Sequence, residues 1–295
     1  MIRTMATDYR IGELCETFEV SRSGYYAWRR GGRGKRAQAN AELGERIAAI
    51  HGQSRGTYGS PRITRELAVQ GIRCGRNRVA RIMRDKGLRG VQRGRFRPRT
   101  TESRHDGVIA PNRLQDAPEV TKPNQVWVSD ITYIPTREGW TYLSAFMDLG
   151  TRTVKGWSVN DSLKSKLVVD AFLQAVFRHG PGPGLIVHSD RGSQYASAAF
   201  RQQLEAHHAL PSMGRTGTCY DNAAMESLWA TLKAELQIAR PFNSKQEARL
   251  AIFDYIETFY NRRRLHSAIG YRAPIDFEAQ LMAHTIHPRV SANSG

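Results

Sequence analysis

The chain has 295 residues, enough for about two folded units, and 40% are hydrophobic, which excludes a disordered or collagen-like polymer. It carries 44 Lys and Arg against 27 Asp and Glu, a net charge of +17. A cationic chain of this size is expected to bind a polyanion, nucleic acid before a membrane surface. No run of 18 apolar residues occurs, the first ten residues lack the apolar core of a signal peptide, and Cys15, Cys74 and Cys219 form no CxxC pair. A cytoplasmic protein with reduced thiols, no membrane span and no cysteine-rich zinc site is expected.

The charge is uneven. Residues 1–120 hold 25 basic and 12 acidic side chains; residues 121–295 hold 19 and 15. The first part therefore reads as a basic module and the second as a nearly balanced enzyme domain. Residues 10–29 suggest two short helices, with Ser21 capping the one that carries Tyr25, Tyr26 and Trp28. An ordinary helical hairpin fits that stretch as well as a helix–turn–helix does. A second helical group runs from about 39 to 88. It is broken at Gly56-Thr-Tyr-Gly-Ser-Pro61, restarted by Pro61 in a first turn, and ended at Gly71. Its last helix, 75–86, turns Val79, Ile82 and Met83 inward and leaves Arg76, Arg78, Arg81 and Arg84 polar. That suits a helix contacting DNA, although a solvated basic face has the same pattern. Residues 87–112, rich in Arg, Gly, Pro and Thr, read as a linker whose Arg89, Arg93, Arg95, Arg97 and Arg99 can follow a phosphate backbone.

From Gln125 the pattern changes to strands: 126–134, 142–148 and 153–159 predict an antiparallel meander. A helix over 165–177, a short buried strand 185–190, a helix over 198–207, a further short strand and a helix over 221–236 follow. This order predicts a mixed sheet flanked by helices. Ser244 to Glu247 reads as a capping box opening a helix with Ala248, Ala251, Ile252, Tyr255, Ile256 and Phe259 on one stripe. The expected division is 1–88, helical and DNA-binding; 89–120, basic linker; 121–240, catalytic core; and 241–295, C-terminal helix and basic tail.

Three acids stand out. Asp130 sits inside an apolar strand, where a charge is costly unless paired or bound to a cation. Asp190 closes the short strand after His188 and is followed by an Arg191-Gly192 turn. Glu226 lies on a helix whose other face carries Met225, Leu228, Trp229, Leu232 and Leu236. Three hard oxygen donors converging on one point suit Mg²⁺ or Mn²⁺, and two such ions can neutralise the entering and leaving oxygens of a phosphodiester. Taken singly, each acid is more often an ion-pair partner or a cap.

The segments Trp127-Val-Ser-Asp130-Ile-Thr-Tyr133, His188-Ser-Asp190-Arg-Gly-Ser-Gln-Tyr195 and Tyr220-Asp-Asn-Ala-Ala-Met-Glu226-Ser227 together resemble the catalytic motifs of bacterial insertion-sequence transposases of the IS3 family. The 35-residue gap between Asp190 and Glu226 also matches. So does Lys233, seven residues after Glu226 and thus on the same helix face. Residues 55–63 and 78–83 resemble the helical segment before that family's catalytic core, and Tyr260 to Pro274 its C-terminal signature.

The resemblance implies a ribonuclease-H-like α/β core, similar to retroviral integrases, behind a small all-helical region. It implies Asp130, Asp190 and Glu226 as catalytic metal ligands for Mg²⁺ or Mn²⁺, in a two-ion site. The substrate is then double-stranded DNA, cut and joined by a homo-oligomer. The chain resembles the downstream catalytic product, so an upstream-frame helix–turn–helix and leucine-zipper partner is expected. DNA contacts are expected from Lys233, Arg191, Asn222, Arg76, Arg78, Arg81, Arg262 and Arg263, and less firmly grounded ones from Arg264, His266, Gln194 and Tyr195. Packing and capping compete with DNA contact at Asn222, Gln194 and Tyr195. His188 is expected beside the acids, either as a supporting group or as a packed histidine.

Overall fold

The computed structural model describes residues 1–29, 35–92, 108–115, 119–214 and 223–286. Arg93, Arg95, Arg97, Arg99, Cys219, Asp221 and Asn222 lie outside these described residues. The chain forms two compact units, Met1–Gly90 and Val91–Gly295.

The first unit is helical: α1 (Ile2–Met5), α2 (Ile11–Thr17), α3 (Arg22–Arg29), α4 (Lys35–Gln53), α5 (Ser60–Val69) and α6 (Arg76–Asp85). Ser21 Oγ accepts the Gly24 N–H at 3.1 Å, the capping bond its position before α3 calls for. Helices α4, α5 and α6 pack on one another over Ile47, Ile50, Ile63, Leu67, Val79, Ile82 and Met83, all buried. The turn between α5 and α6 passes through Gly71 at φ +79°, a conformation that favours glycine. With its apolar side inward, α6 leaves Arg76, Arg81 and Arg84 exposed, while Arg78 Nε donates to Asn40 Oδ1 at 2.9 Å.

The second unit is built on a five-stranded sheet: β1 (Val126–Thr136), β2 (Gly139–Asp148), β3 (Val154–Asn160), β4 (Ile186–Ser189) and β5 (Leu210–Met213). The strand order is β3-β2-β1-β4-β5. The first three strands are antiparallel, and β4 and β5 run parallel to β1 and to each other. The crossovers carry α7 (Ser165–His179), α8 (Ser193–Ala196) and α9 (Ala198–Ala206). A three-stranded meander extended by two parallel strands beyond its first strand is the ribonuclease-H-like arrangement.

One sheet face is sealed by a cluster that includes Trp127, Phe146, Phe172, Val187, Tyr195 and Phe200. Helix α7 lies so close to β3 that a Cβ on Gly156 would stand 2.4 Å from the Ala171 carbonyl oxygen, so only glycine fits there. Against the other face lie α10 (Ala223–Glu235) and α11 (Lys245–Phe253). The helix of α11 continues as a π-helix, Asp254–Tyr260, and a connection that includes a 3-10 turn, Ser267–Ile269, and a bridge between His266 and Arg272 leads to α12 (Pro274–Ile286).

Two local details differ from the sequence expectation. Ser244 caps α11 through the Glu247 N–H at 3.0 Å, but the Glu247 carboxylate accepts from the Asn243 N–H rather than from Ser244. The helical stripe also widens. The i→i+5 repeat of the π-helix brings Tyr255 and Tyr260 to one side, their ring centroids 6.1 Å apart, and buries both.

Candidate active site

The first four residues of β1 are buried because it is the central strand; Asp130, half-buried, is the first to keep any exposure. Side chains alternate along a strand, and Trp127, Ser129 and Ile131 face the aromatic cluster. Asp130 therefore points to the opposite face, towards α10. There Trp229 Nε1 donates to Asp130 Oδ2 at 3.0 Å.

Asp190 follows the last residue of β4. In the parallel β1–β4 pair, Val128 stands beside His188, so two residues further on Asp130, in the middle of β1, and Asp190, just past the end of β4, fall in neighbouring register. The turn after β4 fixes the acid: Asp190 Oδ1 accepts the Gly192 N–H at 2.9 Å. Arg191 Nε donates to the Gly214 carbonyl at 2.9 Å and so ties the exits of β4 and β5 together.

Glu226 lies in the first turn of α10. That helix buries Met225, Leu228, Trp229, Thr231 and Leu232 against the sheet and leaves Glu226 and Lys233 half-buried at its rim.

Asp130 feels the charge of both other acids. The Asp130 carboxyl is pushed up to about 7, first by burial, then by the charge of Asp190 and, more weakly, of Glu226; the Ile131 backbone and Trp229 oppose the rise. Burial draws the Lys233 ammonium below the usual lysine range, and the Asp130 charge pushes it back. Asp130, Asp190, Glu226, Trp229 and Lys233 thus share one electrostatic neighbourhood. No group of three His, Cys, Asp or Glu side chains among the described residues forms a ready-made metal cage.

Other expected site residues fall elsewhere. His188 is buried, with Nδ1 2.8 Å from Ser212 Oγ, and that hydroxyl also accepts the Arg113 N–H at 2.9 Å; it is a packed histidine beneath Asp190. Tyr195 is buried with its hydroxyl 2.8 Å from Ser129 Oγ, and the half-buried Gln194 donates through Nε2 to the Leu163 carbonyl. Arg262 and Arg263 are exposed after the π-helix, and Arg262 Nε donates to the Glu257 carbonyl. Arg264 is 2% exposed and holds Glu235, which removes it from the basic surface expected of this run. Arg76, Arg78 and Arg81 belong to the first unit.

Sequence reasoning missed the bond from Trp229 to Asp130. Its place in the helical period puts Trp229 on the apolar face of its helix and says nothing of its N–H. The available signal was its indole N–H, which requires a partner when buried, one turn after Glu226.

A ribonuclease-H-like sheet with one acid inside its central strand, one just past the adjoining parallel strand and a third on the covering helix fits a polynucleotidyl transferase of the integrase class. Two models described as "Integrase core domain" match residues 120–219 and 208–274, and one described as "HTH-like domain" matches residues 38–96. The chain is 43% identical over 264 residues to the "Insertion element IS600 uncharacterized 31 kDa protein" of Shigella sonnei, spanning 90% of this chain and 97% of that one. It is 37% identical over 278 residues to the "Transposase InsF for insertion sequence IS3A" of Escherichia coli strain K12, spanning 94% and 96%. Among solved structures, the HTLV-2 integrase catalytic core domain in complex with magnesium is similar at a TM-score of 0.42 and 19% identity, over 53% of this chain and 97% of that one. The chain belongs to the IS3 family of insertion-sequence transposases.

Proposed function

We propose that this chain is a DNA transposase that cuts strands at the ends of an insertion sequence and joins them to new positions. The observation that carries this reading is the shared neighbourhood of Asp130, Asp190 and Glu226, in which the neighbouring charges and burial together push one carboxyl up to about 7. Such an excess of negative charge fits a divalent cation, and an all-oxygen donor set favours Mg²⁺, with Mn²⁺ as a substitute. Asp130, Asp190 and Glu226 would hold it, in a site for two ions. Bound there, the ions supply positive charge to the entering and leaving oxygens of a phosphodiester.

The side chains do the rest. Trp229 fixes Asp130 through Oδ2. Lys233, kept near Asp130 on the same helix, holds a DNA phosphate beside the acids. Arg191 and Asn222 are further DNA contacts. Hydrolysis at the element end frees a 3′-OH, which then attacks a second phosphodiester in line, so no protein nucleophile takes part.

Residues 1–88 bind DNA through Arg76, Arg78 and Arg81 on α6, residues 89–120 link, residues 121–240 carry the chemistry, and residues 241–295 add Arg262 and Arg263. Pairing two element ends requires at least two copies, and an upstream-frame helix–turn–helix and leucine-zipper product is the proposed partner for end recognition. The place of action is the bacterial cytoplasm, with its DNA.

The test incubates duplex DNA carrying the element ends with the full chain and Mg²⁺, alone and with the upstream product, beside Glu226→Gln. Cleaved and joined strands from the wild type, with none from an equally DNA-bound Glu226→Gln, are expected. Cleavage without joining would reduce the activity to that of a nuclease. No strand chemistry from a DNA-bound wild type under either condition would end the proposal.

A further inference from the structure

The last residue of α10, Glu235, lies nine positions beyond Glu226 and is gripped inside the protein. Arg264 Nε is 3.0 and 2.9 Å from its two carboxylate oxygens, Arg264 Nη2 is 2.7 Å from Oε1, and the Tyr255 hydroxyl donates to Oε2 at 2.8 Å. The side chains of Arg264 and Glu235 are 2% and 6% exposed. The segment that supplies Arg264 is itself fastened to the sheet. The Asn261 side-chain amide accepts the Val154 N–H at 2.9 Å and donates to the Val154 carbonyl at 3.0 Å, in the manner of a neighbouring strand. The Arg264 N–H bonds the Phe259 carbonyl at 2.9 Å and closes the π-helix. A continuous path of directed bonds therefore runs from strand β3 through Asn261 and Arg264 to the end of the helix that carries Glu226, Trp229 and Lys233.

A buried ion pair adds little to stability compared with apolar residues of the same size, because both charges lose their water. What a two-pronged Arg–carboxylate pair does provide is a defined geometry. We infer that Arg264, with Tyr255, is a positioning residue: by holding Glu235 it sets the rotation and height of α10 and so places Glu226 and Lys233 against Asp130. Without it, the helix keeps its apolar contacts but loses the directed bonds that fix its far end. This rests on the reading of the three acids as the catalytic centre, and it assigns Arg264, unlike its exposed neighbours Arg262 and Arg263, a part in building that centre rather than in holding DNA.

The test compares the full chain with Arg264→Lys, Glu235→Gln, the double variant and the milder Tyr255→Phe. The Trp229 indole N–H resonance, assigned by its loss in Trp229→Phe, reports the Trp229–Asp130 bond without DNA, metal or turnover. All four variants are expected to shift that resonance, Tyr255→Phe least. For Arg264→Lys and Glu235→Gln, the strand-cleavage rate at saturating DNA should fall at least about 10-fold. Their DNA affinity and its salt dependence should stay within about twofold of wild type. The double variant should be no worse than either single one, as expected for one coupled pair. An unchanged indole resonance with a wild-type rate per folded molecule would overturn the inference and leave a clamp that only holds the fold. Weaker DNA binding with a shallower salt slope would equally overturn it by placing Arg264 on phosphate. If the wild type itself cleaves nothing, it is the functional reading that fails, and the indole resonance in folded Tyr255→Phe and Glu235→Gln alone decides whether the clamp sets the helix.

Discussion

Asp130 carries its carboxyl in a setting that costs stability. An aspartate in an unfolded chain titrates near about 3.9; in the fold this carboxyl is pushed up to about 7 by burial, Asp190 and Glu226. The folded state therefore holds the proton more tightly than the unfolded one. The group's contribution favours folding fully below about pH 4 and is lost as the pH rises towards 7. Asp130→Asn removes this dependence. In chelator, its melting temperature should exceed that of the wild type at pH 8, by about 2–4 °C for each kcal/mol of repulsion removed, and should show no such gain at pH 4. Equal melting of the two proteins at pH 8 would contradict the electrostatic account. Asp130 stood out in the sequence because a charge in an apolar strand demands an explanation. Trp229 was not, because a tryptophan on an apolar helix face satisfies the packing rule whichever way its N–H points.

At the scale of elements, period and punctuation carried the reading. The meander, the single crossover helix after it and the two short parallel strands follow from alternation, helical periodicity and the Gly180-Pro-Gly-Pro-Gly184 break. The π-helix did not, since a stripe of apolar residues reads as α-helical until its spacing drifts, and the i→i+5 repeat shows only when Tyr255 and Tyr260 are seen on the same side, their rings tilted against each other. Nor did Gly156 announce itself. A glycine in a strand signals a close approach in general terms, but only the fold shows that the backbone of α7 is what approaches. Gly156→Ala should destabilise the second unit by about 1–3 kcal/mol, because the contact is with backbone atoms that cannot turn aside. Thermal melting measures this, and an unchanged melting temperature would show that α7 can withdraw from β3 freely.

At the scale of the whole molecule, charge and chemistry are divided between two units. The net charge of +17 draws the chain to DNA, and most of it lies outside the unit that bears the acids. The basic character was plain from composition, whereas the fate of individual arginines was not: Arg262 and Arg263 remain at the surface while Arg264, next in sequence, turns inward to Glu235. One residue of difference in a turn after a π-helix decides between surface and interior, and no periodic rule reaches that far. The account depends on Asp130, Asp190 and Glu226 acting as one ion-binding centre when DNA is present. Anomalous diffraction from crystals of the full chain bound to an element-end duplex with Mn²⁺ tests this most directly. The account predicts anomalous density in contact with carboxylate oxygens of all three residues; density held elsewhere, with Glu226 turned away from the two aspartates, would contradict it.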